Sequence, residues 1–164
     1  GSESRPERVE FPAGVRVASV SAGDSHSGAL TTTGVVYSWG VFRDSGGRFG
    51  FSAEVAMQRQ PALVAVAREK IKEISSGADH MAARTESGAV YTWGCAECGR
   101  LGRIAVDDCD PKKARPNAAA WKAKLLTPAP VPGLSGGAAT LVACSLYATF
   151  AVVGGQVYAW GLNQ

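Results

Sequence analysis

The side chains best suited to recognising a partner are carboxylates beside two tryptophan-bearing segments. Asp24 and Asp79 precede these segments, and Asp44 and Glu97 follow them. If each segment is the second half of a hairpin, all four carboxylates share one rim of adjacent units. An acidic arc of this kind attracts a basic protein surface and speeds association. The alternative is that aspartates beside glycine and serine only cap turns. The expected partner-binding residues of this rim are Asp24, Ser25, Arg43, Asp44, Asp79 and Glu97.

A thiol pair has the spacing of a zinc knuckle. Cys95 and Cys98 are separated by two residues. A closed structural zinc site needs four ligands, and the remaining cysteines, Cys109 and Cys144, are far apart in sequence. We therefore expect no metal site and no cofactor. Four cysteines without a secretory leader also favour a reducing compartment.

The two histidines hold matching positions. His26 precedes Trp39 by thirteen residues, and His80 precedes Trp93 by the same interval. A histidine repeated at the start of a strand more often bonds a neighbouring backbone than performs chemistry. The chain has no Gly-x-Ser-x-Gly elbow, no His-Glu-x-x-His and no phosphate-binding glycine loop with its lysine. We therefore expect a binding protein that catalyses no covalent reaction.

A Val-Tyr-x-Trp-Gly pentapeptide determines how these residues are positioned. It occurs at residues 36–40, 90–94 and 157–161. A glycine-bearing turn signal precedes each copy, so each unit is typical of a β-hairpin. Tyr147 stands thirteen residues before Trp160, which assigns Tyr147 to the place of the histidines. Uneven distances between the copies are typical of blades whose connecting loops differ in length.

The remaining segments are short and mostly extended. Residues 62–66 and 124–126 suit outer strands, although 53–60 and 118–126 could each form a helical turn. Residues 141–160 carry no charge and have the length of a membrane span, but the glycine turn in their middle predicts strands. The repeats predict this division: 1–16 as a cloning remnant and the end of a preceding repeat, 17–70 as repeat one, 71–138 as repeat two with a long connecting loop, and 139–164 as the start of repeat three.

Longer matching segments carry a family resemblance. Residues 21–30, 38–47 and 92–102 resemble the regulator of chromosome condensation family, and Cys95–Gly102 looks like part of its Gly-Cys-x-x-x-Gly-x-Leu-Gly signature. The resemblance covers nearly all of this chain but less than half of that family's propeller. It implies an all-β fold, a partial, three-repeat fragment of a seven-bladed β-propeller. Its open blade edges favour self-association.

The resemblance also implies a function. The chromatin-associated member of the family is the guanine nucleotide exchange factor for the GTPase Ran, and the run from Trp39 to Asp44 looks specific to it. Such a factor stabilises nucleotide-free Ran and so promotes GDP release. The implied location is nuclear, the rim would face Ran, and the fragment alone would have little activity. The alternative is a propeller scaffold or adaptor without exchange activity.

Chromatin binding is a further implied property, through histones or DNA in the full-length protein. The basic candidates for phosphate contact are Arg59, Lys112 and Lys113. The alternative is that these charged side chains only belong to solvent-exposed loops. The net charge of +3 is too small to demand or exclude a nucleic-acid partner, and we expect no membrane partner.

Overall fold

The computed structural model describes residues 4–47, 50–110 and 112–162. Gly1 and Ser2, interpreted as a cloning remnant, lie outside these ranges. The first sheet contains β1 (Val17–Ala22), β2 (His26–Thr31), β3 (Val36–Gly40) and β4 (Gln58–Val64). The second contains β5 (Ile71–Ser76), β6 (His80–Thr85), β7 (Val90–Gly94) and β8 (Ala129–Pro130). The third contains β9 (Ala139–Cys144), β10 (Ala148–Val153) and β11 (Gln156–Gly161).

Each sheet is an antiparallel meander in which neighbours in sequence are neighbours in space. We call the sheets blades one, two and three. The blades stack in order, and β5 contacts both β1 and β9. We call these three first strands of the blades the inner strands. The all-β prediction is confirmed by this architecture.

The pentapeptide packs the blades by placing its residues on two opposite faces. In β3, Val36 and Ser38 are buried against blade two, because side chains alternate along a strand. In β7, Trp93 points the other way and joins the core between blades one and two. Trp39 has no preceding blade in this chain and packs against the ring of Phe11, with 6.0 Å between centroids. The apolar and aromatic faces therefore bury each other across successive blades.

Hydrogen bonds between inner strands set how adjacent blades align. The hydroxyl of Ser21 accepts the backbone N–H of Ser76 at 2.8 Å, and the hydroxyl of Ser75 accepts that of Cys144 at 2.9 Å. Glu73 adds a carboxylate that accepts the backbone N–H of Val142 at 2.9 Å. The same contact thus repeats from blade one to two and from blade two to three.

The third hairpin is shorter than the other two, which corrects one sequence prediction. Four residues separate the ladder partners Val152 and Val157 of the third hairpin, whereas five separate the equivalent partners Leu30 and Val36 of the first. As a result Ala148 pairs with Gly161 in the way that His26 pairs with Gly40. The assignment of Tyr147 to the histidine position was therefore wrong by one residue, because a one-residue difference in turn length shifts every upstream position.

Two further expectations about local structure were wrong. Residues 124–126 do not form a strand but end helix α1 (Ala118–Leu126), which begins where the Asn117 side chain accepts the backbone N–H of Ala120 at 2.9 Å. Residues 53–60 form bends followed by the start of β4, with no helical turn. The helical option for 118–126 is confirmed. In the described ranges no helix is long and apolar enough to cross a bilayer, and 141–160 lie in β9 to β11.

Arg103 binds the long connection of blade two to the sheet. Its guanidinium donates to the carbonyls of Thr92 in β7 and of Lys124, Leu125 and Thr127 at the end of α1, at 3.0–3.2 Å. The last carbonyls of a helix lack partners within it, so this side chain satisfies both elements at once. We call the segment from Arg103 to Thr127 the insertion, and its described residues are therefore a folded part of blade two.

Glycine is required three residues before each histidine because the imidazole fills the space of a side chain. A Cβ on Gly23 would lie 2.2 Å from Cε1 of His26, and one on Gly77 would lie 2.1 Å from Cε1 of His80. In blade three the equivalent pair is Ser145 and Ala148. Blade three therefore lacks the imidazole, and it has a serine side chain where the other two blades have glycine.

Replacement of Gly77 by alanine is expected to destabilise the protein by about 2–4 kcal/mol, because the added methyl meets His80 and the Ser145 carbonyl oxygen at 2.5 Å. Urea unfolding measures the change. The matched control is Gly46→Ala, whose new Cβ would meet only the Asp44 carboxylate at 3.2 Å. Equal effects of the two substitutions would contradict this account.

Acid is expected to destabilise the fold through the buried histidines. Burial lowers the pKa of His26 to about 4, and burial together with the Arg100 charge lowers that of His80 to about 3. The unfolded chain titrates near 6.5, so it binds protons first. The stability is therefore complete above about pH 6.5 and falls towards pH 4, on the order of 3 kcal/mol for each histidine.

The variant His26→Phe tests this assignment. It retains a ring against Phe42, whose centroid lies 4.5 Å from that of His26, but it removes the titrating group. Urea midpoints at pH 7 and pH 4.5 should show a smaller acid loss in the variant than in the unchanged protein. Equal losses would refute the role of His26.

Candidate functional site

The loops at one end of the blades form a continuous surface, which we call the loop rim. Because His26 pairs with Gly40 and His80 with Gly94, the loop before the second strand and the loop after the third strand lie at the same end of a blade. The loops of this rim are residues 23–25 and 41–47 in blade one, 77–79 and 95–102 in blade two, and 145–147 with 162 in blade three.

Asp24 is an exposed carboxylate on the loop rim of blade one. Its backbone N–H donates to the carbonyl of Ala78 at 2.9 Å, which places it at the junction with blade two. Beside it, Nε of Arg43 donates to the hydroxyl of Ser25 at 3.1 Å. The exposed acid and the exposed base therefore occupy neighbouring loops of the same blade.

Asp79 is half-buried and supports the loop of the preceding blade. Its Oδ1 accepts the backbone N–H of Arg43 at 2.8 Å. Burial raises the pKa of Asp79, and the negative charge of Asp24 adds to this, while the Arg43 N–H and the Arg100 charge oppose it. Asp24 and Asp79 thus lie close enough to repel each other, as expected for neighbours on one rim.

Glu97 also supports the loop of the preceding blade, two residues further along the chain than Asp79 does. Its Oε1 accepts the backbone N–H of Ser45 at 2.8 Å. Arg100 is 2% exposed and holds Glu97 in turn, because its Nε donates to the Glu97 carbonyl at 2.8 Å. Together with the buried ring of Phe42, Asp79 and Glu97 fasten residues 41–47 of blade one onto blade two.

Asp44 lies where the loop rim meets the insertion. It is half-buried and lines a cleft of about 290 Å³ with Glu97, Asp108, Arg115 and Trp121. Arg115 stacks over the Trp121 ring at 4.1 Å from its centroid and bonds Asp108 at 3.2 Å. The insertion therefore forms one wall of the surface on which Asp44 lies.

The predicted phosphate-contacting residues fall on different elements. Arg59 is exposed on β4, the outer strand of blade one. Lys112 and Lys113 are exposed on the insertion of blade two, and Nζ of Lys113 is 2.6 Å from Oδ1 of Asp108. This ion pair offsets the charge of Lys113.

The four cysteines are free thiols. Cys98 is exposed, while Cys95 is buried, which raises the pKa of its thiol to about 12. Among the described residues, no three side chains of histidine, cysteine, aspartate or glutamate are arranged to hold a metal ion.

Sequence reasoning missed two members of the loop rim. Tyr147 occupies the position of Ser25 and Asp79, since its carbonyl accepts the N–H of Leu162 as that of Asp79 accepts the N–H of Cys95. Arg100 is the buried cation that supports Glu97. The adjacent glycines at 154 and 155 were the available signal for a shorter turn and hence for the true position of Tyr147.

Removal of either supporting carboxylate is expected to loosen the 41–47 loop. Asp79→Ala should raise amide hydrogen exchange at Arg43 about tenfold, and Glu97→Ala should do so at Ser45, because each substitution removes a charged acceptor. NMR-detected exchange measures both rates. Asp24→Ala is the control, and equal exchange rates at Arg43 and Ser45 in all variants would contradict the supporting role.

Comparisons with known proteins match this fold. Two models of the Regulator of chromosome condensation (RCC1) repeat match the chain, one over residues 17–45 and 71–100 and the other over 87–152. Regulator of chromosome condensation from Xenopus laevis is 38% identical over 171 residues, which is 100% of this chain and 38% of that protein. Probable E3 ubiquitin-protein ligase HERC3 from Homo sapiens is 32% identical over 163 residues, which is 98% of this chain and 14% of that protein.

A solved structure resembles the chain in three dimensions. Prp20p from Saccharomyces cerevisiae matches with a TM-score of 0.77 at 28% identity, over 92% of this chain and 32% of that one. That structure is described with the binding properties of Prp20p to Gsp1p and histones. The prediction of a partial β-propeller is confirmed, and the chain spans well under half the length of these relatives.

Proposed function

Because the chain belongs to the regulator of chromosome condensation repeat family, we propose that it is part of a guanine nucleotide exchange factor for a Ran-type small GTPase. The observation that carries this proposal is the loop rim, where Asp24, Arg43 and Asp44 lie on loops held across two blades. The likeness to Prp20p, described with its binding to Gsp1p, supports it.

The rim acts by binding rather than by covalent chemistry. It stabilises the nucleotide-free GTPase, and by thermodynamic linkage the bound GTPase then holds its nucleotide more weakly. Carboxylates suit this role because they pair with the basic phosphate-binding parts of a GTPase and repel phosphate. Asp24 is the leading contact residue, since it is exposed, whereas Asp79 and Glu97 serve chiefly by holding the 41–47 loop in place.

The other implied properties belong to the full-length protein. We place it in the nucleus on chromatin, with histones or DNA as further partners. A chain of three blades holds only part of the contact surface, so the 164 residues alone are expected to stimulate little exchange. Their open blade faces, where Val20 and Val157 are 72% and 71% exposed, favour self-association of the isolated chain.

The second candidate function is a propeller scaffold or adaptor without exchange activity. The observation that favours it is the 32% identity to the HERC3 ubiquitin ligase over almost the whole chain. The two candidates differ in one measurement. Release of labelled GDP from a Ran-type GTPase accelerates with the exchange factor and stays at the basal rate with the scaffold.

In the full-length protein, Asp24→Asn is expected to lower kcat/KM for GDP release about tenfold at low salt, because it removes an attractive charge from the rim. The loss should shrink as salt rises, since exposed charges are screened. Glu86→Gln, which removes a carboxylate from the turns at the opposite end of blade two, is the matched control. Equal effects of the two substitutions would rule out a specific role for Asp24.

A further inference from the structure

One rim residue is aromatic where its counterparts are polar. Tyr147 occupies the row of Ser25 and Asp79, as the three equivalent backbone hydrogen bonds to Val41, Cys95 and Leu162 establish. Tyr147 is 45% exposed, and the neighbouring Leu146 is 58% exposed. The rim is therefore acidic on blades one and two and apolar on blade three.

A buried cation holds the Tyr147 ring in place. The guanidinium carbon of Arg100 lies 5.0 Å from the ring centroid, within the range of a cation–π contact. Arg100 is itself buried, with 2% of its surface exposed, and donates to the carbonyl of Glu97. One face of Tyr147 is thus fixed against blade two, while nearly half of the side chain remains in solvent.

The contact with Arg100 determines on which side of blade three the Tyr147 ring lies. Tyr147 leans back towards blade two and the Glu97 loop, as Asp79 leans back towards the Arg43 loop of blade one. The ring therefore lies beside the acidic part of the rim, on the side of blade three that faces blade two.

We propose that Tyr147 is a partner-contact residue, and that the rim recognises a GTPase surface in which an exposed apolar group lies beside a basic patch. This inference rests on the proposed function and adds to it the chemistry of the partner. A preoriented tyrosine loses little conformational entropy on binding. Tyrosine is also among the residues that most often dominate interface energetics.

If Tyr147 contacts the partner, its truncation should weaken binding. If Tyr147 only packs on Arg100, binding should change little. In the full-length protein, Tyr147→Ala should weaken affinity for the nucleotide-free Ran-type GTPase about tenfold, by the same factor at low and high salt. Tyr147→Phe should stay within about twofold, because it keeps the ring. Leu63→Ala, which truncates an apolar side chain 64% exposed on the outer strand of blade one, is the matched control and should bind normally.

The same titrations separate the two proposals. If Asp24→Asn weakens binding and Tyr147→Ala does not, the tyrosine contact is overturned and the proposed function stands. If the unchanged protein binds no GTPase, the proposed function fails and this inference fails with it. A salt-independent loss in Tyr147→Ala alone, with a melting temperature equal to that of the unchanged protein, supports the contact.

A second measurement keeps the test valid if Tyr147→Ala does not fold. Fluorotyrosine placed at position 147 reports its own surroundings by ¹⁹F NMR. Addition of the nucleotide-free GTPase should shift this resonance, and addition of bovine serum albumin should not. An unchanged resonance in a saturated complex would overturn the proposal.

Discussion

Each blade is aligned with the next by a serine hydroxyl on its inner strand that accepts a backbone N–H from the following blade. Ser21 does this for blade two and Ser75 for blade three. Such bonds contribute only about 1 kcal/mol each, so the apolar faces between the blades supply most of the stabilisation. Apolar packing has little directional preference, however, and the hydrogen bonds select one alignment of the two sheets. The rest of the structure depends on that alignment.

The loop rim is the clearest consequence. Arg43 and Ser45 belong to blade one, but the carboxylates that hold their backbone belong to blade two. A shift between the blades by one residue would separate these partners. Asp79 and Glu97 therefore support the surface, and Asp24 and Asp44 lie on it. The arrangement divides four similar side chains into two roles that their sequence context does not distinguish.

Much of the fold could be predicted because it repeats. The pentapeptide indicated both faces of each blade, and the resemblance identified the propeller. The third hairpin was predicted with the wrong register, because Tyr147 and the histidines share a distance to tryptophan that the shorter Gly154–Gly155 turn does not preserve. The helix at Ala118–Leu126 remained one of two options, since a short apolar segment suits a strand or a helix until its packing is known.

The sequence by itself determined the hairpins, their number in this chain and the presence of acidic residues at one end, because strand alternation and turn glycines are local properties. Only the tertiary structure decided which carboxylates face solvent, which hold a neighbouring loop, and that Tyr147 lies on the rim over Arg100. These features depend on contacts between blades, where residues more than 35 positions apart meet. Local sequence patterns do not determine contacts between residues so far apart in the chain. The packing of one blade on the next determines them.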